Sequence, residues 1–293
     1  MRYLMIVLLT LLALAARAVV SENNNFGNYQ QPTGGLAVTV FYDVNTNGAA
    51  DTGEGALNSW RVTITNTATG QATVTTTPVA QTGLAAGAVY VVTAALPTEK
   101  NWKATTPLSR EVTIVAGETA AVRFGMVALG AGGGKNLQYW IGKNGQKLIG
   151  ADDVVAVDTL TLRDAAGNLF HPSSKTALVT WLKGAGTKNM AYALSAQNAV
   201  MKLNIVNGLV DGSRLIVAAG ANAANPAGFA TVNAVMTETD AELGLHGLTK
   251  TGSPYRAYQT TLQAVLSNAN ATTAVFVLPE PAVYSFTTRK NSP

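Results

Sequence analysis

The residues with the most specific chemistry lie in one stretch, DVNTNGAADTGE, at positions 43–54. Asp43, Asn45, Asn47, Gly48, Asp51 and Glu54 fall at places 1, 3, 5, 6, 9 and 12 of that stretch. This is the spacing at which oxygen ligands surround a calcium ion. Alternate side chains on a tightly coiled loop converge inward, and Gly48 permits the sharp turn. Ala49 at place 7 offers its backbone carbonyl, and Glu54 returns from the far end as a bidentate ligand. Three carboxylates and two carboxamides form an all-oxygen donor set, which suits a hard cation that takes about six to eight ligands. Magnesium, with its stricter octahedron and retained waters, fits less well. A chance match over six defined places in a chain of this length arises about once in a thousand. The competing reading is an Asx-rich turn, because Asp, Asn and Gly are also ordinary turn formers.

The elements that must position this loop are strands. AVTVFY precedes it and WRVTITN follows it, so a helix-loop-helix sensor is excluded. Between residues 36 and 127, short stretches rich in Val, Thr and aromatics alternate with Gly, Asn and Pro. Period-two alternation is plain in Arg61, Val62, Thr63, Ile64 and Thr65, and again in Glu111, Val112, Thr113, Ile114 and Val115. Strands of this length and spacing predict a β-sandwich of about ninety residues.

Past the run GAGGG at 130–134 the period shifts toward that of a helix. Met190, Leu194, Met201 and Ile205 share one face, as do Phe229, Val232, Val235, Met236 and Leu243. Tyr255, Tyr258, Leu262, Val265 and Leu266 form a third such set. Each predicts an amphipathic helix. Shorter helices are expected over 152–160 and 175–183, with an extended segment over 213–219. The glycine run reads as a linker. The closing TTAVFVLPEPAVYSFTT reads as a hairpin or as an arm that pairs elsewhere.

Composition narrows the function classes. The 293 residues are 47% hydrophobic and 12% charged, with no cysteine. Such a chain collapses rather than staying disordered, and it has no disulfide, thiolate nucleophile or cysteine zinc site. Met1, Arg2 and Tyr3 precede the apolar run LMIVLLTLLALAA, and Ala16, which ends the run, with Arg17 and Ala18 makes a small-x-small cleavage signature. This is the pattern of a secretory signal peptide, too short for a membrane span. Cleavage after Ala18 removes Arg2 and Arg17 from the 20 basic residues, leaving 18 against 16 acidic. The basic residues are scattered, and Arg289 with Lys290 is the closest pair, so no nucleic-acid footprint is present. A secreted chain without sulfur crosslinks relies on its core, and a bound metal is the natural supplement.

Catalytic arrangements are thin. The two histidines, His171 and His246, stand in unrelated contexts, and no G-x-S-x-G or H-E-x-x-H string occurs. His171 is expected in a turn, and His246 beside a helix C-terminus, where a cation suits the dipole. Asp152 and Asp153 open a helix as capping carboxylates. Glu238, Asp240 and Glu242 read as a solvated helix face. GAGGGK lacks the spacing of a phosphate loop. Tyr139, Trp140 and Trp181 are conceivable carbohydrate platforms, but their apolar neighbours favour core positions. No enzyme is expected.

One resemblance bears on these residues. VTVFYDVNTNGAADTGEGALNSWRVTITN is similar to the opening of the B-type domains of serine-aspartate-repeat surface proteins and of the related collagen-adhesin B-type modules. The strand at Tyr90, the stretch from Trp102 to Pro107 and the closing Phe124 and Gly125 resemble that family's ending. The likeness covers about residues 35–128. It implies a secreted, calcium-stabilised, prealbumin-like sandwich that serves as a rigid spacer in bacterial surface and matrix proteins. Some relatives carry an isopeptide crosslink between a first-strand lysine and a last-strand asparagine. Here LAVTVFYD has no lysine and Met126 stands near the closing position, so no such bond is expected. Nor is sortase anchoring, because the closing RKNSP lacks the sorting signal.

The expected organisation is multidomain. A signal peptide at 1–18 and a polar segment at 19–34 precede an all-β, prealbumin-like (Ig-like) sandwich at 35–128 with Ca2+ held by Asp43, Asn45, Asn47, Ala49, Asp51 and Glu54. A linker at 129–135, a helix-rich domain at 136–270 and a strand-like arm at 271–293 follow. The expected role is a secreted structural or adhesive protein. The alternatives are a polysaccharide or matrix binder with its site in the helical half, or a fibre subunit. Expected partners are surface or matrix polymers or further copies of the chain, with no nucleic acid and no membrane span after cleavage.

Overall fold

The computed structural model describes residues 30–287. The signal peptide expected at 1–18, most of the polar segment at 19–34 and the closing RKNSP lie outside those residues. Two sheets and seven helices make up the described part, a sheet-rich portion followed by a largely helical one.

The first portion contains β1 (Thr33–Tyr42), β2 (Arg61–Asn66), β3 (Ala72–Thr76), β4 (Val79–Ala85), β5 (Val89–Ala94), β6 (Trp102–Ala104), β7 (Ser109–Thr113) and β8 (Thr119–Gly130). β3, β2, β5 and β7 form one antiparallel sheet. β2 shows why: Val62 and Ile64 turn into the core while the intervening Thr63 is half-buried on the other face, as period-two alternation requires. Across the core stand Leu36, Val38 and Val40 of β1 with Val122 and Phe124 of β8, all buried in the same cluster.

The second portion runs through α1 (Leu137–Ile141), α2 (Lys143–Leu148), α3 (Ala151–Asp158), α4 (Lys175–Gly184) and α5 (Met190–Val206). β9 (Leu215–Val217), β10 (Phe229–Thr231), α6 (Val232–Leu245), α7 (Arg256–Asn270) and β11 (Phe276–Val277) complete it. Helix starts carry side-chain caps. Ser174 accepts from the Ala177 amide, Asn189 from Ala191 and Thr231 from Ala234, each satisfying an amide that lacks an intrahelical partner. α5 is the central helix, buried nearly all round. α7 turns Leu262, Val265, Leu266 and Ala269 inward. Phe229, grouped by its spacing with the helix that follows, instead opens β10 and is buried in the sandwich cluster.

The larger sheet joins the two portions. Its order is β10-β9-β11-β8-β1-β4, with β6 also pairing β8. The N-terminal part of β8 runs parallel to β1, from Gly35 beside Thr119 to Tyr42 beside Met126. Its last residues pair with β11, Gly130 with Phe276 and Leu129 with Val277. Burial along β8 alternates at first and then becomes continuous from Phe124 to Leu129, the signature of a strand covered on both faces. β11 is the seam. Adjacent residues on a strand point to opposite faces, and Phe276 is buried in the helical cluster while Val277 is buried in the sandwich cluster.

The glycine run expected as a linker is built into this seam. Leu129 and Gly130 end β8. A Cβ on Gly132 would lie 2.2 Å from the Phe276 ring, so glycine is needed there for close approach. The Lys135 backbone then bonds Asn204 of α5 in both directions, at 2.8 and 2.9 Å.

Beyond β11 the chain returns across the sandwich. The Leu278 amide donates to the Ala128 carbonyl at 2.9 Å, and its carbonyl accepts from the Tyr42 hydroxyl at 2.7 Å. Tyr284 and Phe286 then pack on Trp60, with ring centroids at 4.7 and 5.4 Å. Trp102 completes this cluster, 5.1 Å from Trp60. The geometry of the seam predicts that Phe276→Ala costs about 3–5 kcal/mol. Urea unfolding followed by hydrogen exchange should show the sandwich and the helices destabilised together, in a single transition.

Candidate metal centre

The loop at 43–54 leaves β1 and returns to β2 through a closed neck. The Tyr42 amide donates to the Gly55 carbonyl at 2.9 Å, and the Leu57 amide to the Val40 carbonyl at 2.8 Å. Asp43 sits at the base, fully buried, its amide bonded to the Met126 carbonyl of β8 at 3.0 Å. Its carboxylate folds the loop. Oδ1 accepts from the Asn47 amide at 3.1 Å and Oδ2 from the Gly48 amide at 2.8 Å. The resulting coil passes through left-handed backbone at Thr46 (φ 59°) and Gly48 (φ 78°). Glycine is suited to the second position, whereas a β-branched residue at the first is uncommon and must be held there by its surroundings.

The expected ligand side chains occupy one loop. The Asn45 and Asn47 Oδ1 atoms accept from the amides of Asn47 and Ala49, at 3.0 and 2.7 Å. Their Nδ2 groups both donate to Asp51 Oδ2, at 2.7 and 2.6 Å. Those two bonds hold the Asp51 carboxyl below the usual aspartate range. Glu54 Oε2 accepts from the Asp51 amide at 3.1 Å, whereas its Oε1 is buried with no hydrogen-bond partner among the described residues. Burial pushes the Glu54 carboxyl up and the nearby charges of Asp43 and Asp51 push the same way, opposed by the backbone amides of Asp51 and Asn45. Among the described residues no lysine or arginine comes within ion-pairing distance of these three carboxylates.

Thr105 supplies a second unpartnered oxygen. It is 9% exposed, and its buried Oγ1 has no hydrogen-bond partner among the described residues. A Cβ built on Gly125 would lie 2.3 Å from that Oγ1 and 3.0 Å from Asp43 Oδ2, so hydroxyl and carboxylate flank the same point. The donor chemistry therefore fits a hard cation: oxygen atoms only, excess negative charge without a basic partner, and two buried oxygens without bonds. The carboxylates are not drawn together. Among the described residues, no three His, Cys, Asp or Glu side chains gather as a formed metal site. The Ala49 residue is exposed, and its carbonyl has no described role in the loop's bonding.

The other candidate groups serve the fold. His171 Nδ1 lies 2.9 Å from Asp158 Oδ1 in an exposed pair, an arrangement that adds little stability. His246 Nδ1 lies 3.0 Å from Glu242 Oε1, and its ring stacks on Tyr255. The carboxylates expected to form a solvated helix face instead accept bonds from neighbouring segments. Glu238 takes the amides of Asn222 and Ala223 at 2.6 and 2.8 Å, and Glu242 also takes Gln259 Nε2 at 3.1 Å. Asp240 Oδ1 accepts from the Thr161 amide at 3.1 Å and Asn198 Nδ2 at 2.9 Å. Asp153 caps the Gly150 amide at 2.7 Å. Trp140 and Trp181 are buried, their indole N–H groups donating to Asn204 and to the Arg163 carbonyl, so neither is a platform for a sugar.

No family model matches the chain, and no curated protein is significantly similar to it. Among the described residues no helix is long and apolar enough to cross a membrane. Three residues beside the loop escape sequence reasoning. Thr105 and Asn225 lie far from it along the chain, and Thr46 occupies a place that carries no ligand in the spacing.

Asp240 yields a pH-dependent prediction. Burial raises its carboxyl above the usual range, opposed by the Thr161 amide, the Lys202 charge and the Asn198 amide. A raised folded-state pKa gives a stabilising contribution that is complete below the unfolded value of about 3.9 and is lost as pH rises through the folded value. Asp240→Asn retains an Oδ1 for both donors. It should raise the melting temperature at pH 7, with the gain vanishing toward about pH 3–4, as read by thermal melts across that range.

Proposed function

We propose that this chain is a secreted, non-enzymatic structural or adhesive component of a bacterial surface or matrix. In this reading a prealbumin-like sandwich over residues 35–128 is stiffened by calcium in the loop at 43–54. The observation that carries it is the acidic, all-oxygen loop, whose buried Asp43 has no basic partner among the described residues. Asp43, Asn45, Asn47, the Ala49 carbonyl, Asp51 and Glu54 would hold the ion, which when bound supplies the positive charge that the three carboxylates lack. The chain's part is to present those oxygens from a neck clamped between β1 and β2, so that fixing the loop fixes both strands.

The signal pattern at residues 1–18 and the resemblance to surface-protein B-type domains support the extracellular setting. Extracellular modules of this kind often work with weak sites, because the surrounding calcium is plentiful. An ion that binds only the folded chain adds stability that grows with its concentration. The gain is about 2.7 kcal/mol when free calcium exceeds the dissociation constant by about a hundredfold.

For a chain of this size that corresponds to roughly 5–10 °C in melting temperature. Scanning calorimetry in millimolar calcium and in chelator should show this difference for the native chain, and a much smaller one for Asp43→Ala. The comparison is the calcium response of each protein, because Asp43→Ala also loses the bonds to Asn47 and Gly48. An equal melt of the native chain in both media rejects the calcium reading.

A further inference from the structure

Asn225 hydrogen-bonds the loop from the helical portion. Asn225 Nδ2 donates to both the carbonyl and the Oγ1 of Thr46, each at 2.8 Å. Thr46 is 1% exposed and holds its left-handed conformation through the turn in which its amide donates to the Asp43 carbonyl at 3.1 Å. Thr46 is the fourth place of the loop, which contributes no ligand in the calcium spacing. A partner can therefore grip it without competing for the ion, while any tightening of Asp43, Asn45 and Asn47 around a cation acts directly on its carbonyl.

Asn225 is itself the organiser of the segment that carries it. Its Oδ1 accepts from the amides of Ala227 and Phe229, both at 3.0 Å. Its backbone amide donates to the Phe229 carbonyl at 2.8 Å. Phe229 is buried in the sandwich core and opens β10, and Thr231, two residues on, caps α6. One carboxamide thus joins the acidic loop to the start of a core helix. Tyr42, the residue before Asp43, donates its hydroxyl to the Leu278 carbonyl and accepts from the Ala128 amide, so the foot of the loop is tied to the seam.

We propose that the loop at 43–54 is a calcium-governed latch between the sandwich and the helical portion, closed by the Thr46–Asn225 contact. This rests on the calcium reading above and adds to it a coupling between ion binding and the 221–231 segment. Coupling of this kind is reciprocal: whatever calcium does to that segment, the segment does to calcium affinity.

The test uses the full chain, with calcium titrated calorimetrically and amide exchange followed by mass spectrometry in calcium and in chelator. In the native chain, calcium should slow exchange about fivefold or more both in 43–54 and in 221–231. Asn225→Asp keeps an Oδ1 for Ala227 and Phe229 but replaces the donor that faces Thr46. In this variant calcium should still protect 43–54 while protection of 221–231 should be lost, a readout that the added charge does not mimic. If calcium binds the native chain and protects 43–54 while leaving 221–231 unchanged, the latch is overturned and the calcium site stands. If Asn225→Asp retains the native coupling, the latch is likewise overturned. Absence of any calcium heat or protection removes both readings. Should circular dichroism show Asn225→Asp unfolded, Thr46→Ala, which loses the Oγ1 acceptor and a methyl group but keeps the carbonyl, decides the matter: reduced coupling supports the latch and native coupling overturns it.

Discussion

The structure depends on a strand that is longer than one module needs. β8 spans twelve residues; its first part completes the sandwich against β1, and its end is hydrogen-bonded to β11, which comes from the far end of the chain. Backbone hydrogen bonds between strands tolerate little slippage, because a one-residue shift turns every side chain to the wrong face. With Phe276 buried on one side of β11 and Val277 on the other, register at this seam fixes both cores at once. The helical portion is therefore placed by a sheet rather than by a flexible connection.

In a weakly charged protein, three carboxylates fall within the twelve residues of the loop at 43–54. Asp43 is buried at the foot of its loop and bonded to β8, and Glu54 carries an oxygen that is buried without a partner. Buried anionic oxygens are costly unless bonded or neutralised. The loop meets part of this need with backbone amides and carboxamides, and among the described residues it has no basic side chain to meet the rest. Its position is as informative as its composition, since the same turn that gathers the oxygens presents Thr46 to Asn225.

Much of this was legible in the sequence wherever one local period governed burial. The alternation of Val62 and Ile64 with threonine made β2 plain, and the helical spacing of Leu262, Val265 and Leu266 located α7. The acidic, carboxamide-rich loop was legible because the spacing of its residues is a local property. Reading failed where distant partners decide. The glycines at 130–134 suggest freedom, yet Gly132 is required by the ring of Phe276, which no nearby residue announces. Phe229 matched a helical face by spacing but belongs to a short strand and to the other core. Glu238 and Glu242 looked solvated because the amides and side chains they bind come from other segments.

The parallel pairing of β1 with β8 has a mechanical consequence. Tension applied at the Thr33 end against the helical portion draws β1 toward its own N-terminus and β8 toward its C-terminus, so the two strands slide past each other. The register from Gly35–Thr119 to Tyr42–Met126 is then loaded along its whole length, and its bonds must rupture together. An antiparallel hairpin pulled from its open end would peel one bond at a time. This pair of strands therefore resists such a pull more than a hairpin would.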